Sequence, residues 1–232
     1  MQEDSEGFLY PVVGKDSCID CDLCSKVCPV LNHIGEASEP KGVYAAKHKD
    51  LSTRTLSASG GAFSAAAKEL IDRGGVVFGS VFNQDWVAEH KSAESMEEVL
   101  PMIGSKYMQS RIEGCYREAE RLLKDGREVL FTGTSCQIKG LKLYLRKEYD
   151  NLFTADVICH GVPSPKVWRQ WLKEEFQGKV LSVNFRDKGP SGWNNFHITI
   201  ESEQGKVSGR VDENAYMRGF LNDLSSPILP RM

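Results

Sequence analysis

Hydrophobic and polar positions follow two alternating periods along most of the chain, and this pattern predicts strands interleaved with helices. Apolar, β-branched runs at 76–82 and 129–131 predict buried strands, and a further strand begins at 155. Apolar positions that recur every three or four residues predict helices at 111–125 and at about 166–176. This alternation is typical of an α/β fold with a mixed sheet and flanking helices.

Other segments carry weaker patterns of the same kind. Gly74 and Gly75 are expected to end a helix that starts with Ser59 as its N-cap and runs to Arg73. The remaining predicted strands are 7–13, 42–48, 86–90, 180–186, 196–200 and 206–211, and the remaining predicted helices are 95–101, 138–145 and 213–223.

Length, charge and cysteine content restrict the class of protein. The chain has 232 residues and a net charge of -3, so it does not favour a nucleic acid or an anionic membrane as partner. The chain contains no apolar run long enough to span a bilayer, and its acidic start lacks the features of a signal peptide. Seven cysteines in such a chain indicate metal or redox use in a reducing, cytoplasmic setting.

The most specific motif is a cysteine run near the start, with the spacing C-x2-C-x2-C-x3-C-P. Its members are Cys18, Cys21, Cys24 and Cys28, and Pro29 follows. This is the ligand spacing of bacterial ferredoxins for a [4Fe-4S] cluster, and thiolates are soft ligands that suit iron. Zinc and disulfides are the alternatives, but structural zinc sites separate two cysteine or histidine pairs by a longer spacer.

The same motif leaves one ligand open. In ferredoxins with two clusters, the fourth cysteine of a run ligates the other cluster, so Cys28 either completes the cluster or serves a second one. Residues 30–41 are predicted to be a linker, in which His33 is more often a solvated loop residue than a ligand. We therefore expect a ferredoxin-like module at 1–40 and an α/β domain at 41–232.

Three polar turns are candidates for ligand binding. Small or polar residues before a helix let a phosphate approach free backbone amides, and ligands of parallel sheets bind at the carboxyl ends of strands. The candidates are Ser59, Gly60 and Gly61; Ser105 and Lys106; and Gly133, Thr134, Ser135, Cys136 and Gln137. Ordinary turn chemistry, a solvated loop and an inert cysteine are the respective alternatives.

Cys159 and His160 follow the strand that begins at 155, at the same predicted edge of the sheet. Together with Cys136 they could form a zinc site or a thiol–imidazole pair, although no acidic partner for the histidine is evident. Cys115 falls on the apolar face of its helix and is predicted to be a core thiol.

Taken in order, these motifs resemble the coenzyme F420 hydrogenase/dehydrogenase beta-subunit family. The segments that carry the resemblance are Cys18 to Pro29, Ser59 to Gly61, Ser105 to Ser110, Val129 to Ile138, Asp156 to Pro165, Phe185 to Lys188, and Gly192 with Trp193. Many members have Pro at the position of Ser135, carry an earlier cysteine run and continue with further cysteines, so we expect a chain truncated at one or both ends.

The resemblance implies an iron–sulfur flavoprotein oxidoreductase with FAD in the α/β domain. Electrons would pass between the cluster and FAD, and on to a deazaflavin or another two-electron acceptor. The three polar turns would hold the flavin, and Cys159 and His160 would shape the reactive edge. The implied partners are a small redox coenzyme and an electron-donor or acceptor protein such as a ferredoxin.

Two other functions stay open. The chain could be a non-catalytic interaction module that a cluster or zinc stabilises, with a link to polysaccharide biosynthesis. It could also be a thiol-dependent transferase that uses Cys136.

Overall fold

The computed structural model describes residues 1–32, 39–189 and 192–226, so the predicted linker residue His33 lies outside the described residues. Contacts divide the chain into two compact units. We call them the sheet unit (14–103 and 110–159) and the aromatic unit (1–13, 104–109 and 160–232). The predicted boundary between a cysteine module and an α/β domain at residue 40 stays a prediction.

The described elements follow one another in chain order. They are β1 (Gln2–Glu3), β2 (Leu9–Tyr10), a 3-10 turn (Lys15–Ser17), α1 (Leu23–Lys26), α2 (Leu51–Leu56), α3 (Ala62–Asp72), β3 (Val76–Phe82), β4 (Ala88–Ala93), α4 (Met96–Val99), a second 3-10 turn (Leu100–Met102), α5 (Cys115–Lys124), β5 (Val129–Thr134), α6 (Ser135–Leu145), β6 (Leu152–Val157), α7 (Pro165–Glu175), β7 (Val180–Asp187), β8 (His197–Ser202), β9 (Gly205–Arg210) and α8 (Ala215–Leu221). None of the helices in this part of the chain has the length and hydropathy of a membrane-spanning segment.

The sheet unit is built on four strands in the order β4-β3-β5-β6. Strands β3, β5 and β6 are parallel, and β4 pairs antiparallel with β3 as the second strand of a hairpin. The predicted mixed sheet of an α/β fold is therefore confirmed.

The alternation of side chains along β3 and β5 gives this sheet two apolar faces. Phe78 and Phe131 pack with α5 and α6 on one face, and Cys115 lies in this cluster as predicted. Val77 and Leu130 pack with α3 and α4 on the other face. The helices thus flank the sheet on both sides, and the helices that precede β3 and follow β5 lie on opposite faces.

The aromatic unit contains the antiparallel sheet β7-β8-β9 and the helices α7 and α8. Trp168 is fully buried and packs edge to face on Tyr216, with a centroid distance of 4.9 Å. Ser164 caps α7 by accepting hydrogen bonds from the backbone amides of Lys166 and Val167, and its hydroxyl donates to the carbonyl of Glu6. Gly7 is required at this contact, because a Cβ there would lie 2.2 Å from Cβ of Lys166 and its φ is +95°.

Several local predictions are wrong. Residues 42–48 form no strand, and only Leu9–Tyr10 of 7–13 is extended in a ladder. The N-cap of α3 is Gly61 in a left-handed conformation, not Ser59. β6 begins at Leu152 and not at 155, and Cys159 and His160 lie in the loop that follows this strand.

Candidate functional site

The cysteine run lies at the surface of the sheet unit, in a segment that contains the short helix α1. Cys18, Cys21 and Cys24 are exposed and Cys28 is half-buried, and all four thiols are free. Two aspartates between them, Asp20 and Asp22, have left-handed backbones with φ of 51° and 58°. Within the described ranges no three His, Cys, Asp or Glu side chains are arranged as a metal site. The donor set suits iron chemically, and the cluster assignment stays a prediction.

The turn between β5 and α6 is the best-defined of the predicted ligand sites. β5 ends at Thr134 and α6 begins at Ser135, so Cys136 lies in the first helical turn as the sequence predicts. The side chain of Gln137 folds back, and its Oε1 accepts from the backbone N–H of Thr134 at 3.0 Å. This capping contact satisfies an amide at the helix start and fixes the turn.

Polar side chains line the outer surface of this turn. Ser135 and Cys136 are exposed. The hydroxyl of Ser135 donates to Oδ2 of Asp156 at 2.5 Å, and Sγ of Cys136 lies 3.0 Å from Oγ1 of Thr134. Because Asp156 places a carboxylate at the turn, this position is better suited to an uncharged, hydrogen-bonding group than to a phosphate.

The buried side chain of His90 is hydrogen-bonded to the end of β5, directly before the turn. His90 is 4% exposed, and its Nε2 donates to the carbonyl of Thr132 at 3.0 Å. Its Nδ1 lies 2.8 Å from the hydroxyl of Ser110, which also accepts from Ser80 at 3.2 Å. Because Nε2 carries the proton that reaches a carbonyl, Nδ1 is left to accept from Ser110.

The side chains of His90 and Gln137 also pack closely against Gly133. A Cβ at Gly133 would lie 2.9 Å from Oε1 of Gln137 and 3.4 Å from Nε2 of His90. Nε2 of Gln137 in turn donates to the backbone carbonyl of Ser110 at 3.3 Å. Sequence patterns single out Gly133 and Gln137 but miss His90, because a histidine on a hairpin strand has no local feature that marks it.

The Ser59–Gly61 turn has a structural explanation of its own. A Cβ at Gly60 would lie 2.5 Å from the carbonyl oxygen of Ala46, and the carbonyl of Gly60 accepts from the backbone N–H of His48 at 2.6 Å. The backbone of residues 46–48 therefore occupies the space that the glycine leaves. Only three residues separate α3 from β3, so α3 runs back along the strand and begins at the carboxyl edge of the sheet.

Ser105 and Lys106 belong to the aromatic unit. Nζ of Lys106 donates to the carbonyl of Gly104 at 3.3 Å, and burial lowers the pKa of this ammonium group to about 8. A lysine with such a pKa is present in both protonation states at mildly alkaline pH.

The boundary between the two units falls between the two predicted catalytic residues, in the loop after β6. Cys159 is an exposed residue of the sheet unit, whereas His160 belongs to the aromatic unit. Nε2 of His160 lies 3.2 Å from Oδ1 of Asp223, and its ring packs edge to face on Phe220 at 5.1 Å. Asp223 supplies the acidic partner that the sequence does not reveal, because it follows α8, far along the chain.

Comparisons with known proteins bear on this arrangement. The family described as the C terminus of the coenzyme F420 hydrogenase/dehydrogenase beta subunit matches residues 126–219. Residues 126–219 belong to the coenzyme F420 hydrogenase/dehydrogenase beta-subunit family. The resemblance predicted from the sequence is thereby confirmed, and the matched segment includes the β5–α6 turn, Cys159 and His160 but not the cysteine run.

Solved structures give an independent comparison of the fold. A chain of the xenon-derivatised F420-reducing [NiFe] hydrogenase complex from Methanosarcina barkeri is similar, with 19% identity and a TM-score of 0.51. The match covers 74% of this chain and 62% of that chain, so this likeness concerns the fold alone. No curated protein matches the sequence.

Proposed function

We propose that the chain is an iron–sulfur flavoprotein oxidoreductase subunit of the F420 hydrogenase/dehydrogenase beta-subunit type. The observation that carries the proposal is the β5–α6 turn, where exposed polar groups lie at the carboxyl end of a parallel strand inside the segment that matches the family. The family match supports an oxidoreductase subunit. The identity of the cofactors and the electron path between them are our proposal.

The sheet unit would supply the residues for both cofactors. Cys18, Cys21, Cys24 and Cys28 would hold a [4Fe-4S] cluster, because four free thiols on one loop are the donors that iron prefers. FAD would contact the Gly133–Gln137 turn, with Ser59–Gly61 at the same edge of the sheet. When bound, a flavin couples two-electron chemistry to the single-electron steps of a cluster.

The Asp156 carboxylate determines which part of a flavin could bind at the turn. A phosphate beside this carboxylate would be repelled, whereas a ring N–H could donate to the acidic or hydroxyl oxygens at the turn. The turn would therefore orient the ring system, and His90 with Gln137 would hold the turn in place. Ser105 and Lys106 stay sequence predictions for the same ligand.

His160 is proposed to move a proton. Reduction of a deazaflavin-type acceptor takes up protons as well as electrons, and an imidazole that faces a carboxylate can hold and deliver one. Asp223 would orient the ring through its contact with Nε2. The role of Cys159 stays a prediction. We also propose that the chain acts with a partner protein and in the cytoplasm.

Cofactor content of the anaerobically purified full chain tests the proposal. We expect four iron atoms and one flavin per chain, on the order of full occupancy, with a broad absorption that dithionite bleaches. Cys21→Ser should lower the iron content, whereas Cys136→Ser, a change at an exposed cysteine outside the run, should retain it. A colourless protein that contains zinc would contradict the proposal and favour an interaction module.

Two further variant pairs address the flavin and the proton. Ser135→Leu should weaken flavin binding about tenfold, as the loss of a hydrogen bond implies, whereas Lys142→Leu, at an exposed position near the other end of α6, should leave it unchanged. His160→Gln should slow reduction of a deazaflavin acceptor but not of methyl viologen, which accepts one electron and no proton. Equal effects on both acceptors would refute the proton-transfer role.

A further inference from the structure

Two cations at the end of β7 are not explained by the proposed redox function. Arg186 is half-buried in the strand, and Lys188 follows the strand with only 8% of its surface exposed. Both lie in a segment that carries the family resemblance, and no role in the proposed redox chemistry falls to them. A lysine so deeply buried is uncommon without a specific environment.

Each cation is held against an aromatic ring. Cζ of Arg186 lies 4.2 Å from the centroid of Phe196, and Nζ of Lys188 lies 3.6 Å from the centroid of Trp193. A ring face stabilises a cation but accepts no strong hydrogen bond. The contact with Phe196 therefore fixes the position of the Arg186 guanidinium and leaves its N–H donors to other acceptors.

The acidic residue between them does not neutralise the pair. Asp187 accepts from the hydroxyl of Thr199 at 2.7 Å and from the backbone N–H of Gly189 at 3.0 Å. Although burial opposes it, these hydrogen bonds from Gly189 and Thr199 lower the pKa of Asp187, and the charges of Lys206 and His197 add to the effect. Arg186 instead helps to lower the pKa of Lys188, in addition to burial.

A β-bulge lies in β7 directly before Asp187. Asn184 pairs with Thr199 and Asp187 pairs with His197, so β7 holds one more residue than β8 between these pairs. Bulges redirect side chains and are frequent beside functional sites.

One donor of the pair is buried and unsatisfied. Nε of Arg186 is inaccessible to solvent and has no hydrogen-bond partner in the part of the chain that the structure describes. A buried donor without an acceptor is unfavourable, so an oxygen atom placed within reach of Nε would relieve this cost.

We propose that Arg186 and Lys188 bind the phosphate group of a ligand. A guanidinium fork matches phosphate geometry, and two positive charges suit a phosphate dianion better than a carboxylate, which carries a single charge. The aromatic rings of Phe196 and Trp193 hold the two cations in place for it. This site is independent of the proposed cluster and flavin turn, and its test uses no electron transfer.

The test follows arginine Nε–Hε cross-peaks of the ¹⁵N-labelled full chain during titration with inorganic phosphate at constant ionic strength. The Arg186 peak is identified by its absence in Arg186→Lys. Arg210 is the matched control, because its Nε already donates to Asp212 at 2.9 Å and it lies in the same sheet. We expect a saturable shift for Arg186 and none for Arg210.

Variants and a second anion complete the test. Lys188→Met should weaken phosphate binding about tenfold or more, as loss of a charged hydrogen bond implies. If this variant does not fold, the titration of the unaltered chain still decides. A linear or absent shift of the Arg186 peak would overturn the site, and an equal saturable response to acetate would overturn the assignment to phosphate.

Discussion

Replacement of Phe131 tests whether the stacked core of the sheet unit holds the β5–α6 turn in place. Phe131 is fully buried in β5. Its ring stacks on Phe78 at 5.1 Å and on His90 at 5.7 Å, and it contacts Tyr116 at 5.7 Å. Truncation to alanine removes all three contacts from the face on which α5 and α6 pack.

The expected magnitude follows from this burial. Phe→Ala changes in packed cores cost about 3–5 kcal/mol, and three ring neighbours place Phe131→Ala towards the upper end. Phe153→Ala is the matched control, because Phe153 lies on the neighbouring strand β6 and is 42% exposed. We expect the control to cost less than about 1 kcal/mol.

Urea unfolding measures the difference. With a slope of about 1–3 kcal/mol per molar urea, Phe131→Ala should lower the midpoint by roughly 1–5 M, and the control by a small fraction of that. Hydrogen exchange of the amides in β5 should accelerate in parallel, which ties the loss to the strand that carries the turn. Equal midpoint shifts for the two variants would refute the role assigned to the stacked core.

Three further predictions concern single groups. Ser164→Ala should lower the free energy of unfolding by about 1–2 kcal/mol in thermal or urea melts, because the N-cap of α7 is lost. Burial lowers the pKa of Lys106 from 10.5 to about 8, so the charge of this side chain opposes folding below about pH 8. This penalty is relieved as the pH rises from 8 towards 10.5. Lys106→Met should therefore stabilise the protein, relative to the unaltered chain, more at pH 7 than at pH 10. Burial raises the pKa of the Cys115 thiol to about 11. N-ethylmaleimide at pH 8 should therefore label the exposed Cys136 and Cys159 in the folded chain but leave Cys115 unlabelled until urea unfolds the protein. Peptide mass spectrometry would identify the labelled residues.

Predictions from sequence succeed where the deciding interactions are local. The strand Val76–Phe82 matches its predicted bounds, and the start of α6 at Ser135 follows from an apolar run, a glycine turn and a capping pair within a few residues. Residues 42–48 show the converse. Their apolar alternation predicts a strand, yet a strand needs a neighbour with free ladder positions, and no periodicity in the sequence reports whether one is present.

The site residues that sequence analysis misses are those whose partners are distant in the chain. Asp223 follows α8 and meets His160 before α7, and Ser110 meets His90 from beyond the β4 hairpin. Each pair forms only after the intervening elements have packed. A sequence pattern can therefore identify one member, such as His160, without the group that determines its chemistry.

A sequence also does not show how neighbouring charges on one strand are paired. Arg186, Asp187 and Lys188 alternate in sign, and the sequence alone does not show whether these neighbouring charges pair with one another. In the structure the carboxylate of Asp187 accepts hydrogen bonds from Thr199 and Gly189, not from the two flanking cations. Whether consecutive charges on a strand cancel thus depends on which side of the sheet each one reaches.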